Sequence, residues 1–251
     1  MSIEAIVRER YAEGARVRQE SLCCPVDYDR ELLALLPREI IDKDYGCGDP
    51  SRYARNGDTV VDLGSGGGKI CYMTAQIVGA SGKVIGVDMT DEMLALARRH
   101  QGDMANKLGF DVVEFRRGMI QQVAQIVAPA SVDLVISNCV LNLVDEADRQ
   151  QLLAGVFEVL KPGGRIAISD IVSSAAVPER LKADPELWSG CISGAFEKQA
   201  FLQAFAAVGF ESVIYDKWDE QPWQSIEDLH FHSATVCARK PGGEPESACC
   251  G

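Results

Sequence analysis

Cysteine side chains in two glycine-rich loops are the first candidates for chemistry in this sequence. Cys47 lies in the run Tyr45-Gly46-Cys47-Gly48, and Cys191 lies in the run Ser189-Gly190-Cys191-Ile192-Ser193-Gly194. Thiolates are soft ligands that suit soft metals and metalloids. Because adjacent glycines argue against inert burial in a core, we interpret both cysteines as candidate metalloid ligands. The three histidines fall in a predicted helix and near a late strand, so the sequence shows no histidine-centred base.

A second candidate site is the glycine-rich run Asp62-Leu63-Gly64-Ser65-Gly66-Gly67-Gly68, between a predicted strand and a predicted helix. Glycines there let the backbone approach a ligand closely and expose amide groups at a helix N-terminus. Asp88 ends the next strand, about twenty residues on, where a carboxylate can accept both hydroxyls of a ribose. Asp62 would repel a pyrophosphate but attract the ammonium group of S-adenosylmethionine. The pattern therefore favours a methyltransferase over a dinucleotide oxidoreductase, and over a glycine turn that only packs a helix on a strand.

Two later segments extend this predicted cofactor site. Met119 and Ile120 follow the third strand, where apolar side chains could flank an adenine, although both could also be core residues. Asn138 ends the fourth strand, at the carboxyl edge where ligands bind in open α/β sheets. We expect Asn138 to face the sulfonium and the amino-acid part of the cofactor.

Alternating strand and helix patterns position these residues. Short apolar runs predict strands at 59–63, 83–88, 112–116, 132–137 and 165–171. Helical patterns between them cover 69–78, 91–108 and 146–160, with Thr90 as an N-cap and 161–164 as the turn that closes the last helix. This rhythm is typical of a parallel sheet covered on both faces. We predict a seven-stranded, mostly parallel sheet with helices on both faces and an antiparallel final strand.

The ends of the chain follow different patterns. Helices are expected at 3–17, 29–36, 37–41 and 198–208, irregular or weakly helical chain at 173–195, and two final strands at 212–218 and 233–238. We divide the chain into an N-terminal helical cap segment with a cysteine loop, a cofactor-binding core, a substrate-side region with the final strands, and a flexible cysteine-containing tail. Their ranges are 1–55, 56–171, 172–240 and 241–251.

Composition excludes several classes of function. A net charge of −12 argues against a nucleic-acid partner and against an anionic membrane surface. No run approaches the roughly 18 apolar residues that span a bilayer, and the N-terminus lacks the apolar core of a signal peptide. We therefore expect a cytoplasmic protein whose nine cysteines are thiols in a reducing compartment, not a disulfide framework.

Taken together, five motifs resemble the arsenite S-adenosylmethionine methyltransferases over about residues 20–240. They are Tyr45-Gly46-Cys47-Gly48, the run from Asp62 to Gly68, Cys71-Tyr72, Gly86-Val87-Asp88-Met89-Thr90 and the run from Leu187 to Ala195. The resemblance implies a Rossmann-like class I methyltransferase fold with S-adenosylmethionine as cofactor. It also implies that Tyr45 lies beside the cofactor. The expected cofactor-binding residues are Tyr45, Asp62, Gly64, Ser65, Gly66, Asp88, Met89, Met119, Ile120 and Asn138.

The resemblance also implies the substrate and its ligands. Cys47 and Cys191 would bind trivalent arsenic and direct its lone pair toward the methyl group. Cys23 or Cys24 would match an N-terminal family cysteine that takes part in thiol exchange or disulfide formation, so all four are candidate catalytic residues. The substrate would be arsenite as a thiol complex, with a thiol reductant such as glutathione or thioredoxin as partner.

One departure concerns a further arsenic-binding cysteine that many family members carry after the residues matching Gly209-Phe210. Glu211 and Ser212 stand there in this sequence. A three-thiolate site must then recruit Cys23, Cys24 or an external thiol, or only two thiolates bind the metalloid. The number of methyl groups added and the substrate itself stay open.

The remaining cysteines and functions also leave alternatives. Core packing and ligand contact are equally plausible for Cys139, whereas Cys71 and Cys237 are expected in the core. For the tail pair Cys249-Cys250 two interpretations stay open, arsenic transfer or thiol exchange on the one hand and no effect on turnover on the other. One rival function is a methyltransferase of the same fold that acts on a sulfur, selenium or organic nucleophile. The other is a non-catalytic thiol protein that sequesters metalloid.

Overall fold

A nine-stranded sheet forms the centre of the computed structural model, which describes residues 2–19, 26–43 and 45–242. Its strands, in chain order, are β1 (Thr59–Leu63), β2 (Lys83–Asp88), β3 (Val113–Arg117), β4 (Val132–Asn138), β5 (Leu160–Ser173), β6 (Phe196–Glu197), β7 (Glu211–Trp218), β8 (Gln224–Ile226) and β9 (Leu229–Arg239). Seven of them form the order β3-β2-β1-β4-β5-β9-β7, while β6 pairs with β5 and β8 pairs with β9.

The direction of these strands confirms the predicted architecture. Strands β3, β2, β1, β4 and β5 run parallel to one another, and β9 is antiparallel to both β5 and β7. The sheet is therefore mostly parallel with an antiparallel final strand. The two short strands β6 and β8 lie beside the seven that the sequence predicts.

Eleven helices of the described residues flank or cap the sheet. They are α1 (Ile3–Arg16), α2 (Arg30–Ala34), α3 (Arg38–Asp42), α4 (Lys69–Val78), α5 (Asp91–Arg99), α6 (Gln101–Leu108), α7 (Val123–Ile126), α8 (Arg149–Val159), α9 (Glu179–Lys182), α10 (Pro185–Ser189) and α11 (Lys198–Val208). Helix α11 has the predicted bounds, and α9 and α10 lie in the stretch predicted to be irregular or weakly helical. No helix in the described part of the chain has the length and apolar character needed to cross a membrane.

Alternation along the strands builds two hydrophobic layers. In β1, Val60 packs with residues of α4 on one face, and Val61 packs with residues of α8 and α11 on the other. In β4, Leu134 and Val135 likewise pack on opposite faces of the sheet. A strand that is apolar on both faces suits a parallel sheet buried between helices, which is the layer arrangement that the sequence predicts.

The single helix predicted at 91–108 is wrong, because the helix ends at Arg99 and a second one begins at Gln101. The imidazole of His100 bonds to a carboxylate oxygen of Glu39 at 3.0 Å, which fixes the break against α3. Thr90 occupies the predicted N-cap position, but its side chain makes no capping hydrogen bond.

The turn predicted at 161–164 is also wrong, because these residues belong to β5. Gly163 N donates to Lys240 O at 3.0 Å, and Lys240 N donates to Gly164 O at 2.8 Å. Pairing with distant chain thus includes Pro162 and both glycines in a strand, against their usual preference for turns, although Gly163 keeps a left-handed φ of +77°. The helix predicted at 146–160 correspondingly starts as a 3₁₀ turn at Glu146–Asp148 and continues as α8.

Candidate functional site

The glycine-rich loop joins β1 to α4 at the carboxyl edge of the sheet. Gly64 has φ +71°, and a Cβ there would lie 2.5 Å from a methyl carbon of Val140. Only glycine combines this left-handed backbone with so close an approach of the next loop. Asp62, near the end of β1, is buried, and its carboxylate accepts a hydrogen bond from the thiol of Cys71 at 3.2 Å. Cys71 therefore contacts a predicted cofactor residue as well as packing in the core.

Asp88 ends β2 beside this loop, as the sequence predicts. Its carboxylate accepts hydrogen bonds from Gly66 N at 2.9 Å and from Thr90 N at 2.8 Å. Burial raises the pKa of Asp88, and these backbone donors oppose the rise. The carboxylate is thus held in one orientation at the cavity wall.

A cavity of about 920 Å³, counted to its open mouth, lies over this edge of the sheet. Every predicted cofactor-binding residue lines it: Tyr45, Asp62, Gly64, Ser65, Gly66, Asp88, Met89, Met119, Ile120 and Asn138. Its lining also includes Tyr11 of α1 and Gln121, which the sequence analysis did not select. A site of this size suits a ligand as large as a nucleoside joined to an amino acid.

The chemistry of the lining fits S-adenosylmethionine. Asp62 and Asp88 supply carboxylates for an ammonium group and a ribose, and Met119 and Ile120 supply apolar contacts for a base. Ser65 Oγ is buried at the cavity wall and has no hydrogen-bond partner among the described residues, so it can accept or donate to a ligand. Asp62 would repel a pyrophosphate, which argues against a dinucleotide.

Asn138 positions the Tyr45-Gly46-Cys47-Gly48 loop. Its Oδ1 accepts hydrogen bonds from Cys47 N at 2.9 Å and Gly48 N at 3.0 Å, and its Nδ2 donates to Gly48 O at 2.8 Å. The residue lines the cavity as predicted, but its amide is bonded to the cysteine loop. The expectation that this amide faces a sulfonium is therefore replaced by a role in holding Cys47.

The glycines beside Cys47 permit this close docking. A Cβ on Gly46 would lie 2.2 Å from Asn138 Nδ2, and a Cβ on Gly48 would lie 2.5 Å from Ser169 Oγ. Both distances are far below van der Waals contact. The loop can reach the ends of β4 and β5 only because these two positions lack side chains.

Three buried thiols meet at the end of β4. Sγ atoms of Cys47 and Cys139 lie with a carboxylate oxygen of Asp170 in a group whose members are within 4.8 Å of one another. The thiol of Cys191 donates to the carbonyl oxygen of Cys139 at 3.2 Å. The structure thus brings the two predicted ligands together and adds Cys139, for which the sequence left packing and ligation open.

Cys139 and Cys191 both have left-handed backbones, with φ of +61° and +65°. This conformation is uncommon for residues with a Cβ and costs about 1 kcal/mol or more at each position. Surrounding contacts must therefore hold the two residues. Such strain in a buried pair of thiols points to a functional requirement for their placement.

A buried polar network underlies the thiols. Asn142 Nδ2 donates to Asp170 Oδ1 at 2.8 Å, to Ile171 O at 2.6 Å and to Cys191 O at 3.3 Å. Arg149 Nη2 donates to Gly194 O at 2.6 Å and thereby holds the far end of the Cys191 loop. The network couples the ends of β4 and β5 to this loop, so the position of Cys191 depends on both strands.

The thiols of Cys139 and Cys191 are protonated at neutral pH. The hydrogen bond with Cys139 and then burial raise the pKa of Cys191 well above its usual value. For Cys139, a hydrogen bond from Cys191 lowers the pKa, but the hydrogen bond with Cys47 and burial outweigh it. Binding of an electrophilic metalloid would displace these protons.

Helix α1 covers the cavity next to the thiols. Tyr45 OH donates to Gly14 O at 3.0 Å, and the ring of Tyr11 packs against that of Tyr45 with centroids 6.1 Å apart. Tyr11 also contacts the apolar cluster that contains the three cysteines. Helix α1 therefore forms the wall of the cavity beside the thiols.

Several predicted residues are not part of this site or cannot be placed. Cys23, Cys24, Cys249 and Cys250 lie outside the described residues. Cys237 is buried in β9, paired in register with Ala167, and its core position is as predicted. Asp170 was missed, although a lone acid in an otherwise apolar strand of a parallel sheet is a signal that could have identified it.

Comparison with known proteins places this site in context. A family model described as a methyltransferase domain matches residues 54–209. An arsenite methyltransferase of Halobacterium salinarum is 38% identical over 269 residues, covering 94% of this chain and 66% of the relative. One from Aquipseudomonas alcaligenes is 36% identical over 240 residues, covering 91% and 68%. The chain thus spans about two thirds of the length of these curated relatives.

A solved structure is similar in both sequence and fold. The crystal structure of an arsenic(III) S-adenosylmethionine methyltransferase from Chlamydomonas reinhardtii superposes with a TM-score of 0.80 at 32% identity. The match covers 89% of this chain and 77% of that chain.

Proposed function

The chain belongs to the arsenite methyltransferase family, and from this premise we propose that it methylates thiol-bound trivalent arsenic with S-adenosylmethionine, as a step in arsenic detoxification. One observation carries the proposal. Cys139 lines the same cavity as the predicted cofactor-binding residues, and it contacts both Cys47 and Cys191. A soft nucleophile and a methyl donor would therefore meet at this wall.

The cavity residues orient the cofactor. Asp62 would hold the ammonium group, Asp88 the ribose hydroxyls, and Met119 and Ile120 the adenine. When bound, S-adenosylmethionine supplies an electrophilic methyl carbon and leaves as S-adenosylhomocysteine. The side chains named here bind and orient, so that the methyl group is held in line with a nucleophile.

The three thiols supply the arsenic site. Arsenite has three hydroxyl groups, and exchange for Cys47, Cys139 and Cys191 releases three waters, one for each thiol proton. Trivalent arsenic so held keeps its lone pair, and therefore no general base is needed. This assignment removes the need for a cysteine after Gly209-Phe210, since Cys139 supplies the third sulfur.

Turnover requires a reductant. When the lone pair forms the new arsenic–carbon bond, arsenic is formally oxidised by two electrons. Two thiolate ligands can return those electrons by leaving as a disulfide, which restores trivalent arsenic. A thiol reductant such as glutathione or thioredoxin must then reduce that disulfide. Cys23 or Cys24 could take part in this exchange, and a reducing compartment such as the cytoplasm would keep the cluster active.

The test is a methylation assay with purified protein, S-adenosylmethionine, arsenite and glutathione, in which methylated arsenicals are separated by mass. Cys47→Ser, Cys139→Ser and Cys191→Ser should each lose nearly all product. Cys237→Ala is the matched control, because it removes a buried thiol outside the cluster and should keep activity. Full activity in the three cluster variants would refute the proposal and favour another nucleophile. Tight arsenite binding without any methylated product would favour sequestration.

A further inference from the structure

The thiol cluster contains a carboxylate that trivalent arsenic does not require. The donor atoms that converge within 4.8 Å of one another are two sulfurs and one oxygen, from Cys47, Cys139 and Asp170. Trivalent arsenic takes three sulfur ligands and keeps a lone pair in the fourth direction. Two sulfurs and one oxygen, with the thiol of Cys191 beside Cys139 as a further sulfur, suit a tetrahedral ion instead.

We propose that the cluster also binds a soft divalent cation with a filled d shell, Zn²⁺ or Cd²⁺. Cys47, Cys139 and Asp170 are three ligands, and Cys191 is the fourth. Each bound thiol loses its proton to solvent. The cation then competes with arsenite for the same sulfurs, and this competition, unlike the binding itself, rests on the proposed function.

Hydrogen bonds hold the carboxylate of Asp170 in one orientation, as a metal ligand requires. Its Oδ1 accepts from Asn142 Nδ2 and from Ile171 N, both at 2.8 Å, while Asn142 N lies 3.3 Å from Oδ2. Outer contacts of this kind orient metal-binding carboxylates and raise affinity. Oδ2, with the longer contact, keeps a lone pair for a cation.

The remaining donor and the route of entry are also present. Cys191 Sγ lies 3.2 Å from the carbonyl oxygen of Cys139, outside the group of three donors, and binding of the ion would draw it in as the fourth ligand. Cys139 is exposed to the cavity, whereas Asp170 is fully buried. An ion can therefore enter from the cavity and be enclosed by the other ligands.

The two kinds of ligand make different demands on the same side chains. Arsenic needs all three sulfurs but not the carboxylate. The divalent cation uses the carboxylate and can replace one lost sulfur with water. Asp170→Asn should therefore weaken Cd²⁺ binding by about tenfold or more while arsenite binding changes little. Cys191→Ser should weaken arsenite binding far more than Cd²⁺ binding.

The experiment titrates the full chain with Cd²⁺ in a phosphine reductant, which avoids competing thiols. Cys23, Cys24, Cys249 and Cys250 are replaced by serine so that only described cysteines remain. Sulfur-to-cadmium charge-transfer absorbance reports binding, and parallel titrations with arsenite use the same variants. Neither measurement requires S-adenosylmethionine or methylation, so failure of the proposed function would not affect it.

The expected result is one Cd²⁺ per chain, lost in Cys47→Ser and weakened in Asp170→Asn, with arsenite displacing the ion. Equal Cd²⁺ affinity in wild type and in a folded Asp170→Asn variant would overturn the proposal, as would no binding to wild type. Because Asp170→Asn could fail to fold, X-ray absorption at the cadmium edge of the Asp170-containing protein gives a second test. Three sulfurs and one oxygen support the site, and four sulfurs or an all-oxygen shell refute it.

Discussion

Removal of the Asn138 side chain tests whether the Cys47 loop is held by a single amide. In Asn138→Ala, the N–H groups of Cys47 and Gly48 and the carbonyl of Gly48 each lose a hydrogen bond of 2.8–3.0 Å. All three bonds are buried. The variant keeps the thiol itself, so any loss of arsenic binding arises from its displacement.

The size of the effect follows from these three bonds. Leaving a buried polar group unpaired costs about 1–3 kcal/mol, and water that enters the new space brings each cost toward the lower limit. The total is about 3 kcal/mol, which corresponds to a fall of about 100-fold in the ratio of docked to undocked loop. Arsenite affinity should fall by up to that factor. S-adenosylmethionine affinity should fall less than tenfold, because the other cavity residues are intact.

Two titrations of the same preparation measure these affinities, one with arsenite and one with S-adenosylmethionine. Tyr28→Phe is the control, since it removes only a 3.4 Å contact between Asn138 Nδ2 and the Tyr28 hydroxyl from this set. A folded Asn138→Ala variant with wild-type arsenite affinity would refute the positioning role. An equal fall in both affinities would show that the residue acts mainly on the cofactor.

Three further predictions concern other parts of the structure. A hydrogen bond with His100 and contacts with cationic side chains hold the pKa of Glu39 at about 2. The ionised carboxylate therefore stabilises the fold above pH 4.5, and this stabilisation is lost as pH falls toward 2. Because its side chain is 32% exposed, screening leaves about 1 kcal/mol. Urea unfolding of Glu39→Gln should show that loss of stability at pH 7 and little loss at pH 2, and an equal loss at both would contradict the prediction. Gly194→Ala would place a Cβ 2.0 Å from Asn142 O. The free energy of unfolding should therefore fall by about 1–3 kcal/mol, and arsenite affinity should fall with it. An unchanged unfolding transition in calorimetry would disprove the contact. Asp62→Asn removes the charge that faces the cofactor ammonium, so the affinity for S-adenosylmethionine should fall about tenfold or more. Titration calorimetry measures this affinity, and the arsenite affinity of the same variant is the internal control.

Local patterns account for what the sequence predicted well. Asp62, Gly64 and Asp88 are placed by one strand-loop-helix unit and the strand after it, and periodicity alone identifies these elements. Every residue of the predicted cofactor set lines one cavity for this reason. The parallel order of the sheet follows from the same alternation.

Contacts between distant segments account for what was missed or misplaced. The role of Cys139 depends on β5, which brings Asp170 to the same edge, and on a loop more than fifty residues later in the chain. The extended conformation at Pro162 depends on pairing with Lys240. The amide of Asn138 was expected to face the cofactor, but the cysteine loop, far earlier in sequence, occupies its hydrogen bonds. The periodicity of the sequence carries no information on contacts between such distant segments.

Backbone strain distinguishes Cys139 and Cys191 from the other described cysteines. Among the described residues, three further non-glycine residues have positive φ, namely Ala130, Ser212 and Glu227, so a left-handed backbone alone does not identify a site. Cys139 and Cys191 differ because both are buried and the thiol of Cys191 donates to the carbonyl oxygen of Cys139. A core cysteine that only packs would relax to an ordinary conformation, since nothing would offset the cost. Here the offset comes from Asn142 and Arg149, whose hydrogen bonds hold the flanking chain, and so the polar network stabilises a geometry that packing alone would not select.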